Sequence, residues 1–352
     1  MSSSVLTGAA FRAGGTLDVR APFPQHNLPT PLTPLIGRAA ELAGIVTRLQ
    51  DPACRLLTLV GPGGSGKTHL ALEVARLLVQ ARRLADLFSD SVYWISLASL
   101  DSASALVPAL AQSLGLLFDT AGDPRRQLFN YLRQKNLLLV LDNFEHLSLP
   151  PLPSLPRGGN RGGIDFVNDL LQAAPNVKIL VTSRVRLNMQ TEHLFPISGM
   201  DAPPAPDILG RPKSALPLPP ASGTPQKLSK YDAVQLFLQG ARRVHPDLTL
   251  TEDELANVAR ICRRVAGIPL GILLAASWTR ALSPAEIATH LSNETTTPAL
   301  DLLETDWRDV PARQRSMRSV FDHSWDLLTG RQQEHLAALS VFCGGFTYPA
   351  AR

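Results

Sequence analysis

The sequence predicts an α/β protein: a parallel sheet flanked by helices, then an all-helical region. Three observations carry that expectation. The apolar run Leu56–Val60 breaks into Gly61-Pro62-Gly63-Gly64-Ser65-Gly66-Lys67-Thr68 and passes at once into a helical pattern, the strand–loop–helix setting that a phosphate-binding loop requires. Asn136–Phe144 (NLLLVLDNF) is an apolar run that ends in an acid, the pattern of a strand covered on both faces. From Ser229 onward apolar residues recur with helical spacing and strand patterns stop.

The loop has a direct chemical reading. A β-carbon would keep the backbone from wrapping a phosphate, so glycines stand where the chain must approach closely. The N–H groups at the helix start then face an anion. Lys67 is placed to reach the β- and γ-phosphates, and the Thr68 hydroxyl to sit on Mg²⁺. Asp142 closes the predicted central strand, where ligands bind in open α/β sheets, and reads as a second metal-site residue. The plainer reading, a carboxylate capping a turn, stays open.

The other elements follow in order. Residues 1–34 are rich in Ser, Gly and Pro and lack periodicity, which predicts a mobile tail or linker. Leu42, Ile45, Val46 and Leu49 share one face of a helix. After the loop, Leu70, Val74, Leu77 and Leu78 do the same. Ser91–Leu97 predicts a strand, and Asp101 caps a helix running to about Leu114. Asp123-Pro124 opens another helix, to about Gln134. Residues 147–163 are a low-complexity insert expected on the surface. Ile164–Ala174 is helical, Val177–Val181 is a buried strand ending in Thr182-Ser183-Arg184, and Leu194–Ile197 is a last short strand. These define an α/β domain over 35–200, followed by a Pro-rich linker over 201–228. Helical patterns at Asp232–Val244, Glu252–Val265, Leu270–Ala281 and Pro284–Leu291 make a helical domain over 229–292. Within 293–352, Arg315–Leu328 and Arg331–Phe342 predict two further helices. The chain ends at Arg352 soon after a Gly-Gly-Phe turn, which leads us to expect an incomplete domain.

Composition narrows the function. A net charge of +4 without a dense Lys/Arg block gives no case for nucleic acid. The three cysteines, Cys54, Cys262 and Cys343, form no C-x-x-C, which suits a reducing compartment and argues against a disulfide frame or a zinc site. The N-terminus lacks a signal-peptide pattern. The longest apolar segment, Gly267–Trp278, is too short to span a bilayer. We therefore expect a soluble cytoplasmic protein with no membrane partner.

From Asn27 onward the chain resembles the STAND-type signalling ATPases with an NB-ARC-like core, in their bacterial regulator branch, within the wider AAA+ group. Their motifs stand here in family order: Ile36-Gly37-Arg38 with Glu41, the phosphate loop, the Walker B strand Leu137–Asp142 with Asn143-Phe144-Glu145-His146, the sensor Val181-Thr182-Ser183-Arg184, and Gly267-Ile268-Pro269-Leu270. Met317–Phe346 resembles the opening of the family's winged-helix domain. The resemblance implies ATP or ADP with Mg²⁺ as ligands. Ile36, Gly37 and Arg38 would contact adenine or ribose. Gly61, Pro62, Gly63, Gly64, Ser65, Gly66, Lys67 and Thr68 would hold the phosphates, and His69 would belong to the nucleotide-binding set. Asp142 would hold Mg²⁺ with Thr68, Arg184 would sense the γ-phosphate, and Pro269 would pack on adenine. Lys67, Asp142 and Glu145 would be the catalytic set. Residue by residue, plainer readings remain: Arg38 and Arg184 as partners of surface acids, Pro269 as a helix breaker.

The chain departs from the family pattern at two points. Many members carry a second acid directly after the Walker B aspartate; Asn143 stands there, and an amide takes no proton from water. Glu145 is the nearest alternative base, so hydrolysis is expected to be slow. Members also place a histidine beyond the winged-helix start that touches bound diphosphate, and this sequence stops short of that region, so that lock is expected to be missing. The reading is a nucleotide-dependent signalling switch, with self-association or partner domains expected in a full-length form. Two rivals stand beside it: a catalytic ATPase or kinase acting on a small-molecule acceptor, and a DNA-binding regulator.

Overall fold

The computed structural model describes residues 25–80, 86–120, 122–147, 162–204, 228–292, 303–305 and 315–340. Its strands are β1 (Gln25–His26), β2 (Leu56–Val60), β3 (Ser91–Ser96), β4 (Leu137–Asp142), β5 (Lys178–Ser183) and β6 (Glu192–Pro196). They form one sheet in the order β1-β3-β4-β5-β2-β6, with every pairing parallel. Parallel neighbours require crossovers, and the crossover helices cover both faces.

That cover explains why β4 is apolar throughout. Leu138 and Val140 join one core with α1 (Ala39–Gln50) and α2 (Lys67–Gln80). Leu137, Leu139 and Leu141 join the opposite core with α3 (Leu106–Leu114), α4 (Pro124–Arg133) and α5 (Gly163–Ala173). All six β4 residues are buried. A third core lies in the helical region, among α6 (Asp232–Val244), α7 (Glu252–Arg264), α8 (Pro269–Ser277) and α9 (Pro284–His290). Beyond it, α10 (Met317–Trp325) buries Val320, and α11 (Gly330–Leu339) buries none of its residues.

Local chemistry sets the helix starts. Asp123 accepts from the Arg125 and Arg126 N–H groups, with Pro124 at the first helical position. Thr251 with Glu254 and Ser283 with Glu286 form capping boxes at α7 and α9. Such a cap stabilises its helix by about 0.5–2 kcal/mol.

The structure departs from the sequence reading in three places. Residues 25–34, read as part of a tail, belong to the described protein: β1 pairs with β3, and the Asn27 side chain donates to Trp94 O (2.8 Å) and accepts from Trp94 N (2.6 Å). One amide thus imitates a strand partner, and a pairing this short has no periodicity to read. Asp101 does not cap α3; a 3-10 turn over Ala103–Ala105 follows Ser102 and leads into the helix. Leu77 is 36% exposed, because the buried arc of α2 centres on Ala71, Val74, Ala75 and Leu78 and leaves Leu77 at its rim. The Pro/Gly-rich insert falls largely outside the described residues, at 148–161, and so does the linker, at 205–227. Among the described residues, no helix is long and apolar enough to cross a membrane.

Candidate functional site

The site lies at the carboxyl ends of β2, β4 and β5. The phosphate loop leaves β2 at Val60, and α2 starts at Lys67. Gly64 (φ 75°) and Gly66 (φ 87°) are left-handed, a backbone that side chains resist. A β-carbon at Gly61 would collide with the Ile197 carbonyl. Lys67 Nζ donates to Gly61 O (2.8 Å) and Pro62 O (2.9 Å). Burial pulls this ammonium down to about 8; Glu145 and Asp142 oppose the shift and Arg184 adds to it. The lysine is thus a desolvated cation held by neutral carbonyls, well suited to an incoming anion.

Asp142 ends β4, 6% exposed. Its Oδ1 accepts from Thr68 Oγ1 (2.8 Å) and from Thr182 Oγ1 (2.6 Å). Burial pushes its carboxyl up, and the two hydroxyls pull it back. Thr182 sits on β5, which lies between β4 and β2, so one hydroxyl ties the acidic strand to the middle of the sheet. In the sequence, only its place directly after the apolar run Ile179–Val181 marks Thr182. Thr182 Oγ1 also accepts from Asn143 N (2.9 Å), and Asn143 is left-handed (φ 67°). Asparagine tolerates that conformation better than most residues. Glu145 follows in a 3-10 turn, Glu145–Leu147.

Arg184 leaves β5 and meets Glu145, Nε to Oε1 at 3.2 Å, with both side chains nearly buried (10% and 3% exposed). Its Nη1 donates to Val320 O (2.8 Å) and Ser324 Oγ (2.5 Å) on α10. The Val320 side chain lies against Gly63, where a β-carbon would collide with it. Helix α10 thereby reaches the loop directly. Nothing in the sequence marked Val320 and Ser324, two ordinary residues one helical turn apart.

On the other side of the loop, Gly37 and Arg38 are both left-handed (φ 64° each). Arg38 is 6% exposed. Its Nη1 donates to Glu41 (2.6 Å), and its Nη2 to Ser65 O (3.3 Å) and Ser198 O (2.7 Å). Arg38 therefore fastens the phosphate loop to the segment after β6. Pro269 opens α8, and the Leu270 N–H donates to Gly64 O (3.2 Å). Gly267 (φ 66°) packs against Met200, beyond β6, where a β-carbon would strike the Met200 carbonyl.

Two adjoining cavities result. One is lined by Ile36, Arg38, Ser65, Gly66, His69, Leu236, Pro269 and Leu273, among others. The other is lined by Gly63, Gly64, Lys67, Thr68, Glu145, Arg184 and neighbours. Gly66, His69 and Pro269 belong to both. Gly37 lines a third hollow beside them. Gly61 and Pro62 shape the loop from beneath, where they hold Lys67, and Asp142 lies behind Thr68. Among the described residues, no group of three or more His, Cys, Asp or Glu forms a metal cluster.

Loop, buried acid and parallel sheet define a P-loop α/β fold followed by a helical region, and residues 50–178 match the AAA domain family. Similar proteins come from mycobacteria. "Putative HTH-type transcriptional regulator Rv0890c" of Mycobacterium tuberculosis H37Rv is 31% identical over 298 residues, 85% of this chain and 28% of its own length. "Uncharacterized protein Rv0894" of the same strain is 29% identical, over 93% of this chain and 70% of its own. This chain thus spans only 28% of the regulator-named relative. The solved Aeropyrum pernix ORC2 protein overlaps 85% of this chain and 71% of its own at 13% identity and a TM-score of 0.43, too loose an overlap to bear on the site.

Proposed function

We propose that this chain is a nucleotide-operated switch of the STAND type, in which ATP or ADP with Mg²⁺ sets how the helical region and α10 sit on the α/β domain, with slow ATP hydrolysis. The observation that carries this reading is Arg184, which bonds at once to Glu145 beside the phosphate loop and to Val320 and Ser324 on α10. A γ-phosphate arriving at the loop would compete with α10 for that guanidinium, whose planar fork suits phosphate oxygens. ADP offers no such competitor. The two nucleotides would then favour different arrangements, as a switch requires, since equal binding shifts nothing.

The remaining residues take their parts around that competition. Lys67 would exchange its two loop carbonyls for phosphate oxygens. Thr68 and Asp142 would hold Mg²⁺; a hydroxyl and a buried carboxylate already 2.8 Å apart are an oxygen donor pair of the kind this ion takes, with water and phosphate completing the shell. Glu145 would be the base, and its pairing with Arg184 keeps it from activating water until the guanidinium moves. Asn143 cannot take a proton and serves the turn. Pro269 and Ile36 would enclose the base, and Arg38 would hold the loop in shape. The regulator name of the mycobacterial relatives supports a regulatory output, carried in a longer protein.

The test is to identify the nucleotide that co-purifies with the chain, then titrate ATP and ADP while following hydrogen exchange of the α10 amides. ATP should increase exchange in residues 317–325 and ADP should not. Equal exchange with both ligands, or turnover well above about one per second, would favour a catalytic ATPase instead.

A further inference from the structure

The end of β5 holds the end of β4 residue by residue. Thr182 Oγ1 gives its proton to Asp142 Oδ1 (2.6 Å) and accepts from Asn143 N (2.9 Å). Its backbone oxygen accepts from Phe144 N (3.0 Å). Two residues further on, Arg184 pairs with Glu145. Residues 142–145 are thus each tied to β5, and all but Glu145 are tied by Thr182. Thr182 itself is 1% exposed and is not among the residues that line the two cavities, so it works through its neighbours.

A hydroxyl suits both side-chain bonds, since it donates one and accepts others. Valine has nearly the same shape and would continue the apolar run Ile179–Val181, but it can make neither bond. The Asn143 backbone is left-handed (φ 67°), a conformation that persists where the surroundings hold it. Thr68 and Thr182 both bond to Asp142 Oδ1, and among the described residues Oδ2 takes no hydrogen bond. The carboxylate is thereby fixed with one oxygen left for an ion or its water. Partners that orient a metal-binding group in this way matter: losing one weakens metal affinity about 10- to 100-fold. The same bonds bear on Glu145. In the competition proposed above, Arg184 leaves Glu145 for the γ-phosphate. The bonds of Thr182 run to protein groups, so they can keep the turn that carries Glu145 fastened while the guanidinium moves.

We propose that Thr182 is a positioning residue: it orients the Asp142 carboxylate for Mg²⁺ and keeps the 142–145 turn in place while Arg184 changes partner. The inference rests on the nucleotide-binding reading above.

The test uses the full chain. A non-hydrolysable ATP analogue is titrated with and without Mg²⁺, and the Mg²⁺ concentration that gives half of the gain in affinity is recorded. Thr182→Val should raise that concentration about tenfold or more and leave the Mg²⁺-free affinity within about threefold. Thr182→Ser keeps the hydroxyl and should match the parent within about threefold on both counts. In the parent, hydrogen exchange of the Asn143 amide should be as slow with the ATP analogue as with ADP, and it should speed up in Thr182→Val. A threonine that serves the fold alone would lower the melting temperature of Thr182→Val without moving its Mg²⁺ requirement, and that result overturns the proposal. So does a Thr182→Ser variant as impaired as Thr182→Val. So, with no variant needed, does an Asn143 amide in the parent that the ATP analogue frees and ADP does not. A parent that binds the analogue equally well without Mg²⁺ refutes this inference and leaves the nucleotide reading standing; a parent that binds no nucleotide refutes both.

Discussion

Arg184→Ala should separate ATP from ADP. The contacts of the guanidinium include an ion pair with Glu145 and hydrogen bonds to Val320 O and Ser324 Oγ, and its side chain is 10% exposed. A hydrogen bond to a charged group contributes about 1.5–3 kcal/mol, so loss of a γ-phosphate contact should weaken ATP about ten- to hundredfold. ADP affinity should stay within about threefold. The substitution also leaves the Glu145 carboxylate buried without this cation, and breaking a buried pair from one side costs about 3–5 kcal/mol. Stability must therefore be measured beside affinity, and Arg184→Lys, which keeps the charge and loses the fork, is the control. Ser324→Ala isolates the α10 half of the contact. It removes the 2.5 Å bond from Arg184 and the bond that Ser324 Oγ donates to Val320 O at 3.0 Å. It should loosen α10 by about 1–2 kcal/mol, speed hydrogen exchange in residues 317–325, and raise ATP affinity relative to ADP by several-fold. Both nucleotides are titrated calorimetrically against all three variants. Equal losses of ATP and ADP in Arg184→Ala would make the arginine a general anchor. A Ser324→Ala variant with a freed α10 and an unchanged ATP/ADP ratio would refute the competition outright.

Three further outcomes are expected. Lys67→Met should abolish binding of both nucleotides while the nucleotide-free protein melts no lower than the parent, because the buried ammonium it replaces is disfavoured enough to bring its pKa to about 8; titration with a fluorescent nucleotide and thermal denaturation check this. Asp142→Asn should keep stability within about 1 kcal/mol, since the amide retains an oxygen for Thr68 and Thr182 and carries no buried charge, and should remove the Mg²⁺ dependence of nucleotide binding. Replacing residues 148–161 with a short Gly/Ser linker should leave ATP affinity within about twofold: a β-carbon at Gly163 would lie 2.9 Å from Leu147 O, so the two flanks already touch. A tenfold loss of affinity, about 1.4 kcal/mol, would mean that the segment lines the site.

Much of the fold is legible because burial on two faces leaves a uniform signature. Each β4 residue must be apolar until the chain reaches the ligand end, and Asp142 marks that point. The phosphate loop is legible because only glycine meets its backbone demands at Gly64 and Gly66. The motif residues from Ile36 to Pro269 converge as their order suggests, although Arg38 is spent on protein carbonyls and Glu41. What escaped has a common cause. β1 is too short to show a period, and the contact that extends its pairing with β3 comes from the side chain of Asn27, just beyond it. Thr182, Val320, Ser324 and Ser198 act through contacts between residues far apart in the chain, and their own types are unremarkable for a strand, a helix or a loop. Local pattern carries element type; it does not carry which surfaces meet.

The surfaces that do meet share one short backbone, and that explains why a nucleotide could govern them together. Gly61 packs on the segment after β6, Gly63 on Val320 of α10, and Gly64 on Leu270 of α8, which also bonds to its carbonyl. Each approach is close enough that a β-carbon would be opposed, so the glycines serve docking beside the phosphate binding proposed for them. The two kinds of contact differ in firmness. The Gly61 contact is backbone against backbone, inside the sheet domain, where Ile197 N also bonds to Val60 O (2.7 Å). The Gly63 contact is a valine side chain on a helix that buries no other residue along its length. Local stability follows buried contact, so α10 belongs to the end that opens first. A ligand that adds charge beside Gly63 and draws on Arg184 therefore acts on the weakest of the loop's attachments, while Arg38, Gly61 and β2 keep the binding site itself intact.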